Sequence, residues 1–321
     1  PRAYLWLARV YAIPAGMYAS QIWSPPSLRE GMEFSSRIQI WHLNLLRSIL
    51  GVKTTTSNWA VLRECSQEPM QFYWFRSVIR FFNGMLVCGN PLVRDVLRAD
   101  IRLSERCQRC WAAQLCAAFA GLEHKDVYEQ AVRDLTPIQL KDFIPDLRFR
   151  QQTVWRVAES ESPREVSGKL PVYHHWFAVP LSSNNMCCKC PACLPYFLTL
   201  DLPRHVSRHV SCFRLRSHRL RAESVHWQHQ DVRCDCGCNE VQDEKHVLFY
   251  CRRPAVCNLR DKYFDLFEGH ALRFTFRSSA AGRNLYLDSH CVIPDWLMRD
   301  FVHQQNYRFY RFLSELYRVF L

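Results

Sequence analysis

The stretch FSSRIQIWHLNLLRSILG, residues 34–51, has apolar side chains that recur at spacings of four, three, four and four. This spacing places them on one face of a helix. Gly51 follows, in the position where a helix usually ends. The stretch therefore predicts a helix that ends near Leu50 and packs through one apolar face. The positions of that face are Phe34, Ile38, Trp41, Leu45 and Ile49.

Helical periodicity also dominates the chain on either side of that stretch. A second stripe runs through Phe72, Phe75, Ile79, Phe82 and Leu86. A closing helix is predicted over 296–321, with aromatic residues on one face. The polar segment 158–170 contains Pro and Gly, as linkers commonly do. We therefore predict a mainly α protein, with a helical domain over 1–157 and a helical, basic C-terminal domain over 171–321.

The composition is strongly basic. The chain has 321 residues and a formal net charge of +12, and only seven of its 42 Lys and Arg residues are lysine. Guanidinium groups bind phosphate through two hydrogen bonds and stack on bases. A basic, arginine-rich surface favours a polyanionic partner, most often nucleic acid. The alternative is a bias of codon usage towards arginine.

Several function classes lack their motifs. There is no dinucleotide fingerprint, no Walker A loop, no G-x-S-x-G and no H-E-x-x-H. The absence of an Asp-Asp pair excludes the carboxylate turn of two-metal polymerases. No run of 18 apolar residues occurs, so the sequence does not predict a transmembrane helix. With no signal-peptide pattern and clustered cysteines, we expect an intracellular protein of nucleus and cytoplasm, with no small-molecule substrate.

The stretch RHVSRHVSCFRLRSHRLR, residues 204–221, contains six arginines, three histidines and no acid. On a helix, Val206, Val210, Phe213, Ser217 and Leu220 would share one face. The arginines would fan over the remaining surface and bind phosphates. The alternative is that they pair with Asp or Glu elsewhere in the fold. The arginines are Arg204, Arg208, Arg214, Arg216, Arg219 and Arg221.

A possible metal centre lies within RCDCGCNEVQDEKHVLFYC, residues 233–251. Three thiolates and one imidazole are the ligands of a tetrahedral Cys₃His zinc site. Three cysteines compete for two of the places, so we predict either Cys234 or Cys236, together with Cys238, His246 and Cys251. The alternative is a group of buried thiols beside a surface histidine.

A second cysteine cluster contains Cys187, Cys188, Cys190 and Cys193. No histidine follows it at zinc-finger distance, although His174 and His175 precede it. Because ligands must converge as well as exist, we predict one zinc ion, at residues 230–257, and none at Cys187, Cys190 and Cys193.

Three segments resemble the region after the polymerase palm of non-LTR (LINE-type) retrotransposon reverse transcriptases. They are MYASQIWSPP (17–26), RIQIWHLNLLRSILGV (37–52) and NWAVLRECSQEPM (58–70). Ala19 and Ser66 stand where that family usually has glycine. A fourth segment, VQDEKHVLFYC (241–251), is similar to the family's Cys-Cys-His-Cys zinc knuckle. The matching residues are Tyr18, Trp23, Leu50, Gly51, Val52, Leu62, Glu64, Pro69, Glu244, His246, Leu248, Phe249 and Cys251.

The resemblance implies a thumb-like helical region, a connecting region and a zinc knuckle that grip template RNA, primer and target DNA. It also implies that the catalytic aspartates would precede Pro1, so this chain alone would not be an enzyme. Arg37, Arg47 and Lys53 become candidate contacts of the thumb, and 204–251 a basic platform for RNA and DNA. The alternative function is a zinc-stabilised helical module that binds an acidic protein, in a decayed or host-adopted element.

Overall fold

The computed structural model describes residues 2–20, 36–121, 123–139, 195–222 and 231–268, the backbone of 277–279 and 282–286, and residues 293, 298, 301–302 and 306–320. The predicted mainly α fold is confirmed. The described α-helices are α1 (Arg2–Leu7), α2 (Ile13–Gly16), α3 (Arg37–Leu50), α4 (Asn58–Glu64), α5 (Met70–Val87), α6 (Pro91–Ser104), α7 (Trp111–Gly121), α8 (Lys125–Asp134), α9 (Tyr196–Thr199), α10 (Arg204–Arg214), α11 (Pro254–Lys262), α12 (Phe264–Glu268) and α13 (Tyr307–Val319).

Two π-helical turns and a short hairpin complete the described elements. The π turns span Ala8–Ala12, which joins α1 to α2, and His246–Tyr250. Strands β1 (Arg277–Ser279) and β2 (Gly282–Tyr286) pair antiparallel. None of the helices in the described ranges is both long and apolar enough to cross a membrane.

Helix α3 has the predicted C-terminal end but buries a different face. The Ser36 side chain accepts a hydrogen bond from the Gln39 amide at 3.1 Å, and Gly51 ends the helix at a φ of 72°. The predicted face was wrong, because Leu43, Leu46 and Leu50 are buried whereas Trp41 is 40% exposed. The helix is apolar on more than one side, so its spacing alone does not choose the buried side.

Helix α5 confirms the second stripe. Phe72, Phe75, Ile79 and Phe82 are fully buried, and Leu86 packs partly against the same cluster. Phe75 meets Phe119 of α7 edge to face, with ring centroids 6.0 Å apart. Aromatic contacts of this kind pack α7 against α5. We call α5 and the helices packed around it, α7 and α8, the helical layer.

The two hydrophobic cores do not follow the predicted domain division. One core is built around α5, α7 and α8. The other joins Leu46 of α3 and Val61 of α4 to Val210 of α10 and Phe312 of α13. The predicted linker 158–170 lies outside the described residues, but the second core draws side chains from both 1–157 and 171–321.

The predicted closing helix over 296–321 is interrupted. Asn306 has an extended backbone, and its side chain accepts a hydrogen bond from the Phe309 amide at 2.6 Å, so that α13 begins at Tyr307. Asparagine is favoured at the N-cap, so it starts α13 here and does not continue one long helix. The aromatic face itself is buried as expected, through Phe301, Phe309 and Phe312.

Candidate metal centre and basic surface

The cysteine-rich loop is shaped by a bridge and a tight turn. Arg233 pairs antiparallel with Val241, and the Cys234 amide donates to the Glu240 carbonyl at 2.8 Å. Gly237 has a φ of 82°, in the left-handed region that favours glycine. This turn brings Cys234 and Cys236 back towards the following helical segment.

The opposite side of the site is the π-helical turn His246–Tyr250. Asp243 precedes it and accepts a hydrogen bond from the His246 amide at 2.7 Å. The Cys251 amide donates to the His246 carbonyl at 2.8 Å, which closes the turn. Single π turns frequently occur at functional sites because the extra residue redirects a side chain. Here the turn places His246 and Cys251 on the side that faces the loop.

Four side chains converge at this point. The ligand atoms of Cys234, Cys236, His246 and Cys251 all lie within 4.8 Å of one another, and the cluster can hold a metal ion. Metal–sulfur bonds of about 2.3 Å in a tetrahedron put sulfur atoms about 3.8 Å apart. The Sγ atoms of Cys234 and Cys251 are 3.8 Å apart. The distance from Cys236 Sγ to His246 Nε2 is 3.5 Å, which is also close to the tetrahedral value of about 3.6 Å.

Cys238 does not complete the same tetrahedron. Its Sγ lies 2.8 Å from that of Cys236, too close for both thiolates to bind one ion as neighbouring ligands. Its distance to His246 Nε2 is 3.7 Å, so it competes with Cys236 for one corner. The predicted set, which includes Cys238, is therefore corrected to Cys234, Cys236, His246 and Cys251.

The thiols influence one another electrostatically. A hydrogen bond between Cys251 and Cys234 lowers the pKa of Cys234 and raises that of Cys251. The side-chain amide of Gln242 also donates to the Cys234 sulfur, at 3.5 Å. Donors of this kind around a metal site orient the ligands and stabilise thiolates.

A fully buried arginine supports the site from behind, and sequence reasoning missed it. Arg260 of α11 donates to the carbonyls of Val247, Leu248 and Cys251 at 3.0, 2.8 and 2.8 Å. Burial lowers the pKa of Arg260 to about 10. The sequence of α11 gives no signal for this role, because the carbonyls of the π turn come within reach of Arg260 only in the folded chain.

The arginine-rich stretch is helical for only part of its length. Helix α10 ends at Arg214, and Arg216 has a φ of 51°. The predicted apolar face is nevertheless buried, through Val206, Val210, Phe213, Ser217 and Leu220. The chain turns after α10, so Arg216, Arg219 and Arg221 are not part of that helix.

Arg214, Arg216 and Arg221 pair with acids, as the alternative interpretation expected. Arg214 forms a two-pronged ion pair with Glu64 of α4, which is fully buried. Arg216 lies 3.7 Å from the buried Glu244, and Arg221 lies 3.4 Å from Asp235.

His218 shares the carboxylate of Glu244 with Arg216. Its Nε2 lies 2.7 Å from a Glu244 oxygen. Burial alone would raise the pKa of Glu244, but His218 and Arg216 outweigh it and hold the pKa below its usual value. The pair links the turn after α10 to the start of the π turn.

The other three arginines, Arg204, Arg208 and Arg219, are exposed. Arg208 Nε donates to the Gly51 carbonyl at 3.3 Å, which fixes the direction of its guanidinium group. These three are the exposed arginines of the stretch 204–221.

The three predicted thumb contacts have different environments. Arg37 is exposed. Arg47 is only 8% exposed, and its Nη2 donates to the Thr56 carbonyl at 2.7 Å, so it supports the loop before α4. Lys53 is exposed, but its Nζ donates to the His218 carbonyl at 2.7 Å. The second cysteine cluster, Cys187, Cys188, Cys190 and Cys193, lies outside the described residues.

No protein-family model, curated protein or solved structure matches this chain.

Proposed function

We propose that this chain is a zinc-stabilised nucleic-acid-binding region, equivalent to the C-terminal part of a non-LTR retrotransposon reverse transcriptase. The observation that carries the proposal is the division of the arginine-rich stretch. Arg214 and Arg216 bind acids inside the fold and Arg221 pairs with Asp235 at the surface, whereas Arg204 and Arg208 face solvent on a chain of net charge +12. Exposed arginines in a row are the usual footprint of a phosphate-binding surface.

Zinc is the metal that best suits the four converging ligands. Three thiolates and an imidazole at tetrahedral distances are typical of structural zinc sites, which have no open position for substrate. Zinc here would hold the loop 231–242 against the π turn. Its role is therefore structural, and the basic surface provides the binding.

The backbone supports the resemblance at two unexpected positions. Ala19 and Ser66, which replace the family's usual glycines, have φ values of 53° and 51°. This left-handed conformation is costly for residues with a Cβ atom, so a family of this shape would favour glycine there. The matching carboxylates Glu64 and Glu244 are also the buried partners of Arg214 and Arg216.

Binding of labelled RNA and duplex DNA by the full chain, measured over about 50 to 200 mM salt, tests the nucleic-acid proposal. We expect log Kd to change linearly with log salt. The double variant Arg208→Ala/Arg219→Ala should weaken all sequences about equally and flatten that slope, because phosphate contacts carry no sequence information. The matched control Arg102→Ala, an exposed arginine on α6, should bind like the wild type. Salt-independent or undetectable binding would refute the proposal.

Elemental analysis tests the metal proposal. We expect one zinc ion per chain in the wild type and in Cys238→Ser. Cys236→Ser should lower zinc affinity, with Cys238 as a poorer substitute, and the double variant should bind none. Equal loss in the two single variants would contradict the assignment of Cys236.

A second candidate function rests on a different surface. Helix α6 exposes Leu92, Val96 and Leu103, which lie within about 40° of one line on the helix. Exposed apolar stripes commonly contact a partner protein. A protein-interaction module would therefore use α6, and Val96→Asp would abolish partner capture but leave RNA binding unchanged.

A further inference from the structure

A large open cleft lies beside the arginine-rich helix. Its volume is about 1560 Å³, beyond the roughly 300–1,000 Å³ of a small-molecule pocket. The walls come from α1, from the C-terminal half of α3 and from α10 with the loop before it. Segments distant in sequence therefore build one continuous surface.

The charge of the cleft is positive. Arg2, Arg204 and Arg208 line it with exposed side chains, and His205 adds a titratable group. Of the described residues that line the cleft, Asp201 alone is acidic. Phosphate groups would lose little by leaving water here, because bidentate guanidinium contacts replace their hydration.

Aromatic side chains distinguish this cleft from a purely electrostatic surface. Tyr4 and Trp6 of α1 line it and are 57% and 56% exposed. The Trp6 ring meets Tyr11 edge to face, with centroids 6.2 Å apart, which restricts its rotation. Bases stack on such rings at a value of about 1–3 kcal/mol per base. A duplex has its base faces already stacked, so only a single strand can use these rings.

The position of Arg208 in the cleft depends on a glycine. A Cβ atom at Gly51 would lie 2.6 Å from the Arg208 Cγ, so the Arg208 side chain can lie against this residue only because it is glycine. The Gly51 carbonyl then accepts hydrogen bonds from Arg208 Nε and Cys212 Sγ, at 3.3 and 3.4 Å. The arginine is thus preorganised on the cleft wall.

We infer that this cleft binds a single-stranded nucleic acid, with arginines on the phosphates and α1 aromatics on the bases. The inference rests on the proposed function and deepens it. A duplex, an acidic peptide and a binding site elsewhere on the surface are the competing outcomes.

The test uses the full zinc-loaded chain and fluorescent oligo(U), oligo(dT) and mixed duplex probes of about 12 nucleotides. We expect the single strands to bind more tightly than the duplex. Tyr4→Ala/Trp6→Ala should weaken single-strand binding at least about tenfold, and Trp6→Phe should retain most of the affinity, since it keeps an aromatic face. The control Tyr307→Ala removes an exposed aromatic residue outside the cleft and should change little.

The arginines that line the cleft are tested through the salt dependence of binding. Arg204→Gln/Arg208→Gln should reduce the log–log salt slope by about 0.7 for each phosphate group that the variant no longer neutralises. Arg102→Gln, which changes an exposed arginine of α6 outside the cleft lining, is the control. Photo-crosslinking of 4-thiouridine in the RNA probe should label peptides of α1 and α10. Comparison of oligo(U) with oligo(dT) then assigns the preference for RNA or DNA.

The outcomes distinguish failure of the proposed function from failure of the cleft inference. If the wild type binds no oligonucleotide, the proposed function and the cleft inference both fail. If it binds nucleic acid but the cleft variants bind normally, or if duplex binds more tightly, only the cleft inference is overturned. Equal displacement of oligo(U) by poly-glutamate would also overturn it, in favour of an acidic protein partner.

Discussion

The cysteine-rich knuckle, residues 231–251, and the helical layer around α5 keep their shapes by different means. Helix α5 buries eight of its own residues, among them Phe72, Phe75 and Phe82. Between 231 and 240 only Cys234 is buried. A segment with so little buried apolar surface is expected to need a bound ion to offset its loss of conformational entropy.

Removal of the metal should separate the two regions most strongly. With zinc bound, we expect His246→Ala, or a chelator, to remove local stabilisation on the order of 10 kcal/mol. Hydrogen exchange should accelerate most over 231–242 and stay slow in α5. The control His205→Ala, on an exposed histidine, should change neither. Uniform acceleration across both regions would remove the distinction.

Arg260→Leu tests whether the knuckle also depends on its buried arginine. The change leaves the carbonyls of Val247, Leu248 and Cys251 without their donor, so we expect a loss of about 3 kcal/mol or more in unfolding free energy. Arg260→Lys should recover only part of it, because an ammonium group lacks the fork of donors. Urea unfolding measures the effect, with Arg102→Leu as the exposed control. A loss no larger than that of Arg102→Leu would deny Arg260 its structural role.

The helical layer is expected to lose stability at acidic pH. His42 is fully buried, and burial lowers its pKa from 6.5 to about 4. Between these values the unfolded chain binds a proton that the folded chain does not. Stability should therefore fall by about 3 kcal/mol as the pH drops from 6.5 to 4.

The variant His42→Leu isolates that contribution. Neither ring nitrogen has a hydrogen-bond partner among the described residues, so leucine should cost less than about 1.5 kcal/mol near neutral pH. The fall in stability between pH 6.5 and 4 should become shallower in thermal melts of this variant. An unchanged pH profile would assign the acid sensitivity to another group.

Two opposite glycine exchanges should give the smallest effects, near the junction of α3, α4 and α10. Gly51→Ala should lower stability by at least about 1 kcal/mol, because φ is positive and the Cβ would meet Arg208. Ser66→Gly should raise it by up to about 1 kcal/mol, since a φ of 51° suits glycine. Calorimetric melting measures both changes. If both variants were destabilised, backbone strain would not explain Ser66.

Local features of the chain were predictable. The C-terminal end of α3, the buried stripe of α5 and the burial of Phe301, Phe309 and Phe312 all follow from spacing and the glycine stop. The cluster that can hold a metal ion could be predicted from the residue types, because thiolates and imidazole are the ligands of tetrahedral metal sites.

Features that depend on distant partners were not predictable. Spacing chose the wrong face of α3, since the buried side is set by two cores that close from different parts of the chain. It also included Cys238 and left Cys234 and Cys236 as alternatives, whereas the turn at Gly237 brings both Cys234 and Cys236 to His246 and Cys251.

The sequence by itself therefore determined the mainly α character, the helix stops and the set of side chains from which a metal site can be made. The tertiary structure alone decided which arginines remain exposed. Arg214 finds Glu64 from 150 residues away, whereas Arg204 and Arg208 line an open cleft. The physical reason is that helical periodicity is a property of neighbours in the chain. Ion pairing and burial depend on neighbours in space.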